Sequence, residues 1–576
     1  MSEPNNTLSP TKRFWRLLKP DQKEVTNIYV YAIFNGLVNL SLPLGIQAII
    51  NLIQGGRMST SWVILVIFVI AGVAATGILQ IAQLRITENL QQKIFTRAAF
   101  EFAFRMPRIK MEALYKHYAP ELMNRFFDTL SVQKGLSKIL IDFSTASLQV
   151  IFGLILLSFY HPFFIAFSVV LIFLVYVIFR FTARSGLDSS LLESKYKYQV
   201  AHWLEELART NTTFKLAGKT DLPLARINEH TGDYLGAREK HFKVLVQQYS
   251  MMVVFKVLVA AGLLVMGGLL VMEQQMNIGQ FVAAEIIILL IMGSVEKLIV
   301  AMETIYDVLT SLEKVGQVTD LQLETSDGID ITETEATEGL SINFEDVHFG
   351  YPDHKTKTIN GVSLKIDAGE RVFLTGSNES GKSTLLFLMA GLYDVQEGSI
   401  SFDGFAKGNL KLNTLRSVIG DFSADEQVFQ GTVLENITLG RKGVTFDNVR
   451  WAVQNIGLEH FITQLPNGYD TMLQPEGKQL PKSAAQKILL ARSIADKPRL
   501  LLLRDALQHI DAKDGKEIMD FLTKPEHPWT LVTVSSDLRF AKRCSKIIVM
   551  DKGKVVSTGT YKELESTLLK KDSPNA

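Results

Sequence analysis

Long apolar runs without charge punctuate the first half of the chain. Residues 25–56, 58–84, 143–179 and 257–272 contain no Asp, Glu, Lys or Arg, and residues 281–295 contain only Glu285. A helix needs about 20 apolar residues to cross a bilayer core, roughly 17 to 25 in practice. The run at 143–179 is close to twice that length, and His161-Pro162 near its middle reads as a tight turn between two spans. The pattern therefore predicts six membrane-spanning helices. From Ile342 onward the pattern changes. Short β-rich runs, such as Arg371-Val372-Phe373-Leu374-Thr375, residues 500–503 and residues 529–534, alternate with helical stretches, which predicts an α/β domain.

Charge then orients the spans. The loop after the first has only Arg57, and the turn at His161 and residues 273–280 have no Lys or Arg. Ten Lys or Arg lie between Arg85 and Lys138, and eleven between Arg180 and Lys243. The basic side of a membrane protein is cytoplasmic. The N-terminus, the two long connections and everything after Val300 are therefore expected in the cytoplasm, in a multi-pass protein of a plasma or inner membrane. Both connections are rich in helix formers, so their helices should continue beyond the bilayer.

Before the first span, residues 11–24 alternate bases with Phe14, Trp15, Leu17 and Leu18, as either a short helix on the membrane surface or a solvated leader. The segment lacks the short apolar core and cleavage site of a signal peptide, so it should remain. Residues 321–340 hold Glu324, Asp327, Asp330, Glu333, Glu335 and Glu338 and no base, which reads as a solvated linker. The expected organisation is 1–24, a cytoplasmic segment; 25–320, the transmembrane domain; 321–340, the linker; and 341–576, the α/β domain.

Composition narrows the partners. The 576 residues are 47% hydrophobic and 21% charged, too apolar for disorder, and the net charge of +1 leaves no basic footprint for nucleic acid. Cys544 is the one cysteine, which excludes an internal disulfide and a Cys-rich metal cluster and leaves a small structural thiol. Lipid is the partner that the apolar spans require.

Chemistry enters directly after the β-rich run at residues 371–375. Gly376-Ser377-Asn378-Glu379-Ser380-Gly381-Lys382-Ser383-Thr384 matches GxxxxGK[ST] in its strand, loop and helix context. The glycines let backbone N–H groups point at phosphates and the helix starting near Ser383 adds its positive end. Lys382 reaches the β- and γ-phosphates, and Ser383 can ligate Mg²⁺. ATP or GTP is thus the expected ligand. Upstream, the Tyr351 ring could stack on a purine.

Six spans with long cytoplasmic connections, then Tyr351, this phosphate loop and Leu434-Glu435-Asn436-Ile437, resemble an ABC exporter half-transporter over nearly the whole chain. The membrane half is most similar to type I secretion exporters, although the N-terminal peptidase domain of some peptide exporters is not expected. The resemblance implies a multidomain fold: an all-α six-helix transmembrane domain followed by an ABC-type P-loop domain. It implies ATP as cofactor with Mg²⁺, and pairing with another half-transporter, as a homodimer or heterodimer whose nucleotide domains close head to tail. It also implies coupling helices in the cytoplasmic connections, for which residues 112–127 and 196–207 are candidates.

The sequence then departs from the family at several positions. Ala424 takes the place of the glutamine that senses Mg²⁺, and Gln427 is out of register. Leu480-Pro481-Lys482-Ser483-Ala484 stands where LSGGQ is expected before residues 487–492. Proline there removes an N–H, and side chains at the two glycine positions hinder close approach to the γ-phosphate, although Lys482 can supply charge. After the strand at 500–503, the family's Asp-Glu is replaced by Arg504-Asp505. The spacing to Asp511 and the alternation of side chains along a strand put Arg504, not Asp505, at the metal position. A guanidinium repels a cation: two like charges ~4 Å apart cost about 4 kcal/mol at an effective dielectric near 20. It could instead pair with phosphate. Asp505 is left as the one catalytic candidate, a shorter water-positioning base than glutamate. Ser535-Ser536 replaces the switch histidine.

These residues lead to an exporter-like protein that binds ATP and couples it to export, with hydrolysis weak or lost at its own site. The alternatives are a working ATPase that tolerates the changes, or a non-transporting regulatory or assembly subunit that uses ATP to stabilise a dimer. Glu285, deep in the sixth span, is the candidate pathway residue, whereas Asp142 and Lys256 fall near span boundaries.

Overall fold

The computed structural model describes residues 8–54, 60–325, 327–333 and 338–565. Arg57 and Glu335, used above for orientation and for the linker, lie outside the described residues. The chain forms two compact units, Met1–Pro107 with His117–Leu321, and Arg108–Lys116 with Gln322–Ala576.

In the first unit, six helical segments among the described residues are long and apolar enough to cross a membrane: Pro10–Gln54, Thr60–Arg108, Ala119–Ser158, Pro162–Arg209, Leu222–Met272 and Ile278–Thr319. The turn expected at His161-Pro162 is present, and the His161 ring accepts a hydrogen bond from the Phe163 N–H at 3.2 Å. The helix Pro162–Arg209 has 48 residues. At 1.5 Å per residue it is roughly 70 Å long, more than twice the ~30 Å of a bilayer core, so its charged half continues outside the membrane. The sixth helix is the best buried: Ala283, Ala284, Ile287, Ile288, Ile291 and Val295 are fully enclosed, packed with Leu154, Leu157, Phe164 and Phe255.

The helix Pro10–Leu18 forms over the basic-aromatic segment. Its apolar residues meet protein: Phe14, Leu17 and Leu18 pack on Val132, Leu136, Val308 and Leu312. Arg13 is buried and pairs with Asp320 at 2.6 Å and Glu313 at 3.3 Å. Trp15 alone of the four apolar residues is exposed, at 65%, so the segment is a helix that docks most of its apolar face on protein.

The second unit is built on three sheets. Strands β1 (Ile342–Phe349), β2 (Ile359–Ile366), β4 (Glu397–Phe402) and β5 (Phe405–Ala406) form one, in the order β2-β1-β4-β5. The principal sheet runs β12-β11-β3-β10-β9-β6, from β3 (Arg371–Gly376), β6 (Ile419–Ser423), β9 (Leu500–Arg504), β10 (Thr530–Val534), β11 (Lys546–Asp551) and β12 (Lys554–Gly559). Strands β7 (Gly431–Thr432) and β8 (Met472–Leu473) pair separately. Every neighbour pair of the principal sheet is parallel except β11 with β12. A parallel sheet is covered on both faces, which is why β9 reads as four consecutive leucines. Leu500 and Leu502 pack with Leu385 and Leu388 of the helix Lys382–Met389, while Leu501 and Leu503 pack with Ile488 and Leu489 of the helix Lys482–Ile494.

The acidic stretch after the sixth helix is anchored rather than free. Ile331 and Leu340 are buried in the core of the second unit, Ile329 pairs with Leu410, and Glu324 holds Arg416 through two hydrogen bonds of 2.6 and 2.8 Å. The apolar residues between the acids, not the acids themselves, decide its fate.

Candidate functional site

The phosphate loop follows from two glycines at which a side chain does not fit. At Gly376, φ is +156°, and a Cβ would lie 2.2 Å from the Met550 carbonyl oxygen. At Gly381, φ is +96°, and a Cβ would lie 2.9 Å from the Thr358 carbonyl oxygen. The loop between them is pinned by the Ser377 hydroxyl donating to Asp551 at 2.7 Å and the Gly553 N–H donating to the Ser380 carbonyl at 3.1 Å. Lys382 begins the helix, one residue earlier than expected, and its Nζ donates to the carbonyls of Gly376 at 3.1 Å and Ser377 at 2.7 Å. Ser383 is half-buried at the same helix end, and Thr384 shares a 3.0 Å hydrogen bond with the Tyr351 hydroxyl. Asn378 and Glu379 form the exposed tip. A cradle in which Cβ atoms have no room, a lysine and a helix start fit a nucleotide polyphosphate.

Tyr351 is not alone. Its ring stacks on Tyr115 with centroids 5.3 Å apart and meets Phe349 and Tyr393 edge-on at 5.1 and 5.5 Å. Burial pushes its phenol above the usual range. Tyr115 ends the short helix Met111–Leu114, whose surroundings belong to the second unit: Lys110 pairs with Asp394, and Glu112 accepts from the Asp394 N–H at 2.8 Å. Of the candidate coupling stretch 112–127, only its beginning joins this unit. The other, 196–207, lies inside the helix Pro162–Arg209, because that connection turns later, around residues 210–221.

Across the sheet, Arg504 ends β9 in register with Ser423 of β6 and Val534 of β10. Alternation along β9 puts it on the face of Leu500 and Leu502, towards the phosphate-loop helix. Its Nε donates to the Ser423 hydroxyl at 3.0 Å, its Nη2 to Asp425 at 2.5 Å, and its guanidinium carbon lies 5.5 Å from the centre of the Phe387 ring. Asp505 lies beyond the strand at φ +52°, its N–H donating to the Val534 carbonyl at 2.9 Å. Burial raises the Asp505 carboxyl above its ordinary range against the opposing pull of Arg504 and Lys382.

Residues 359–508 match the ABC transporter family, and residues 25–295 match the ABC transporter transmembrane region. The chain belongs to the ABC transporter family. It is a multi-pass membrane protein with the half-transporter arrangement of an exporter, one transmembrane region followed by one cytoplasmic ATP-binding domain. ABC transporter B family member 24, mitochondrial, of Arabidopsis thaliana is 34% identical over 226 residues, which are 39% of this chain and 33% of that protein. The match thus spans a third of that relative's length. The transport/processing ATP-binding protein ComA of Streptococcus pneumoniae is 24% identical over 544 residues, 94% of this chain and 75% of that one. A bacterial Atm1-family ABC exporter with ATP bound has the same fold, with a TM-score of 0.84 at 18% identity, covering 96% of this chain and 99% of its own.

Within this ABC transporter domain the groups expected around Mg²⁺ do not fit the ion. In P-loop nucleotidases the metal is held by the loop Ser or Thr and by an acid from another strand of the sheet. Here that strand end carries Arg504, and among the described residues no group of three or more His, Cys, Asp or Glu is placed to hold a metal. Ala424 follows β6 without a polar side chain, and Gln427 is exposed.

The acids in and just after β6 were not anticipated as part of the site. Asp421 and Glu426 are both raised by burial, Glu426 also by facing Asp421, while Arg492 stands 3.8 Å from Glu426. The dense acids in Asp421-Phe422-Ser423-Ala424-Asp425-Glu426 were the signal available.

The helix that follows the expected signature stretch is present. Pro481 caps the helix Lys482–Ile494 without a side-chain hydrogen bond, and Pro481 and Lys482 are exposed. Asp511 accepts from the Lys513 and Asp514 N–H groups, which hold its carboxyl below the usual range. Ser536 is exposed after β10. Cys544 is buried with Phe540 and Ile547, as a structural thiol. In the other unit, Glu285 is half-buried without a hydrogen-bond partner among the described residues, Lys256 pairs with Glu296 at 2.7 Å, and Asp142 is exposed.

Proposed function

We propose that the chain is one half of an ABC exporter that binds ATP at its phosphate loop, pairs with a second half-transporter, and hydrolyses ATP slowly or not at all at its own site. The observation that carries this reading is Arg504, which points from the end of β9 towards the phosphate-loop helix and is paired with Asp425. It supports loss of the metal-assisted step without loss of the nucleotide cradle. Pro481 and the side chains of Lys482 and Ser483 in place of a glycine-rich signature support the same weakness in the composite site that this chain would close for its partner.

The test is ATP binding and turnover by the purified full chain in lipid with Mg²⁺, beside Lys382→Ala. The expected result is binding that the variant loses, with turnover no higher than in the variant. Turnover lost in Lys382→Ala would instead assign Asp505 or another group as a working base. Binding undiminished in the variant would remove the nucleotide assignment itself. Glu285 is proposed to face the transported substrate, because an acid deep in a span is expensive in lipid. A Glu285→Gln chain whose transport and stability are both unchanged would take it out of the pathway.

A further inference from the structure

We infer that this site takes its nucleotide free of divalent metal, with the Arg504 guanidinium supplying the positive charge that a metal ion supplies elsewhere. The inference rests on the nucleotide-binding reading above and adds the charge state of the ligand.

The placement of Arg504 is the first argument. Its strand end is level with Leu374, two residues before Gly376, and one strand intervenes between β9 and β3. Strands lie about 4.8 Å apart and rise about 3.3 Å per residue, so its backbone is roughly 12 Å from the start of the loop. Its side chain leans over Phe387, which lies five residues after Lys382 on the helix that the loop feeds. A long guanidinium side chain covers much of that gap towards the phosphates, and a planar fork suits phosphate oxygens.

The way the group is held is the second. The Arg504 side chain is 19% exposed, steadied by the Ser423 hydroxyl and the Phe387 ring. Its ionic partner Asp425 is 84% exposed. An ion pair with one member in open solvent contributes little, so phosphate oxygens can take the place of Asp425 while the stem stays fixed. The exposed carboxylate is a placeholder for an anion.

The third argument is the absence of an alternative cation. Among the described residues no acid cluster is placed for a metal, and a bound divalent ion would sit against a permanent positive charge. Lys382 and Arg504 then stand on two sides of the polyphosphate and divide its neutralisation between them.

The experiment is calorimetric titration of the full chain in lipid with ATP, once in excess Mg²⁺ and once in EDTA. Wild type should bind in EDTA at least as tightly as with Mg²⁺. Arg504→Asp should bind about tenfold or more weakly in EDTA and recover when Mg²⁺ is added. Arg504→Met, which keeps the apolar stem over Phe387, should lose affinity in EDTA without a comparable loss of thermal stability. Wild type that binds only with Mg²⁺ overturns the inference and leaves the nucleotide site intact. Wild type that binds under neither condition overturns the nucleotide reading itself. Variants as tight as wild type in EDTA also overturn the inference, because the charge would then come from elsewhere.

Discussion

Gly376 shows how closely the nucleotide cradle depends on single atoms. A methyl group there meets the Met550 carbonyl oxygen at 2.2 Å, and backbone rather than a yielding side chain stands in the way. Gly376→Ala should displace the loop and weaken ATP binding by about tenfold or more in calorimetry. Unchanged affinity would mean that the loop needs less close approach than its geometry implies. A second residue-scale effect concerns Asp421 and Glu426. Burial raises both carboxyls, so between the ordinary carboxylate range near ~4 and their raised values the folded chain holds more protons than the unfolded one. Their contribution to stability is fully present below the ordinary range and lost as pH rises through the raised values. Thermal unfolding followed from pH 5 to pH 8 should show wild type losing stability as pH rises, and Asp421→Asn should flatten that slope. A variant with the wild-type slope would show that the pair does not hold the extra proton.

At the scale of elements, the aromatic group around Tyr351 ties the helix Met111–Leu114 to the ATP-binding domain. A stacked pair of rings contributes about 0.5 to 1.5 kcal/mol beyond the area it buries. A double-mutant cycle of Tyr115→Ala and Tyr351→Ala, read by thermal unfolding of the full chain, should give a coupling in that range. Strict additivity would mean that the rings do not support each other. Tyr115 also marks the limit of what the sequence discloses. The spans, the turn at His161-Pro162, the phosphate loop and the place of Arg504 at the end of a buried strand were all legible, because each rests on local pattern. What a segment packs against was not. Phe14, Leu17 and Leu18 announce an apolar face, yet the same periodicity serves lipid and protein alike, and only Arg13 reaching Asp320 distinguishes them. Ile331 is one buried residue among acids, too slight a signal to reveal an anchored segment. Asp425 reaches Arg504 from the turn after the neighbouring strand β6, which no spacing along the chain encodes.

For the whole molecule, two asymmetries constrain function together. The basic connections fix the side on which the ATP-binding domain lies, and under the proposed function Pro481, Lys482 and Ser483 would weaken the site this chain closes for a partner as Arg504 weakens its own. Under the proposed function, pairing with an intact half-transporter would restore neither composite site, and nucleotide occupancy rather than turnover would be the signal left to both. The side assignment has a direct test because the sequence contains a single cysteine. Cys544 is 8% exposed and burial pushes its thiol up to about 12, so the thiolate that reacts with maleimides is scarce at neutral pH. Native protein is then a quiet background for introduced thiols. Gln275 lies exposed in the short turn after the fifth span and Thr212 lies exposed in the long basic connection before it. Gln275→Cys should label with a membrane-impermeant maleimide in intact cells, and Thr212→Cys only after lysis. The reverse pattern would invert the orientation and put the phosphate loop on the side without ATP, while labelling of both in intact cells would break the count of six spans on which the cytoplasmic site depends.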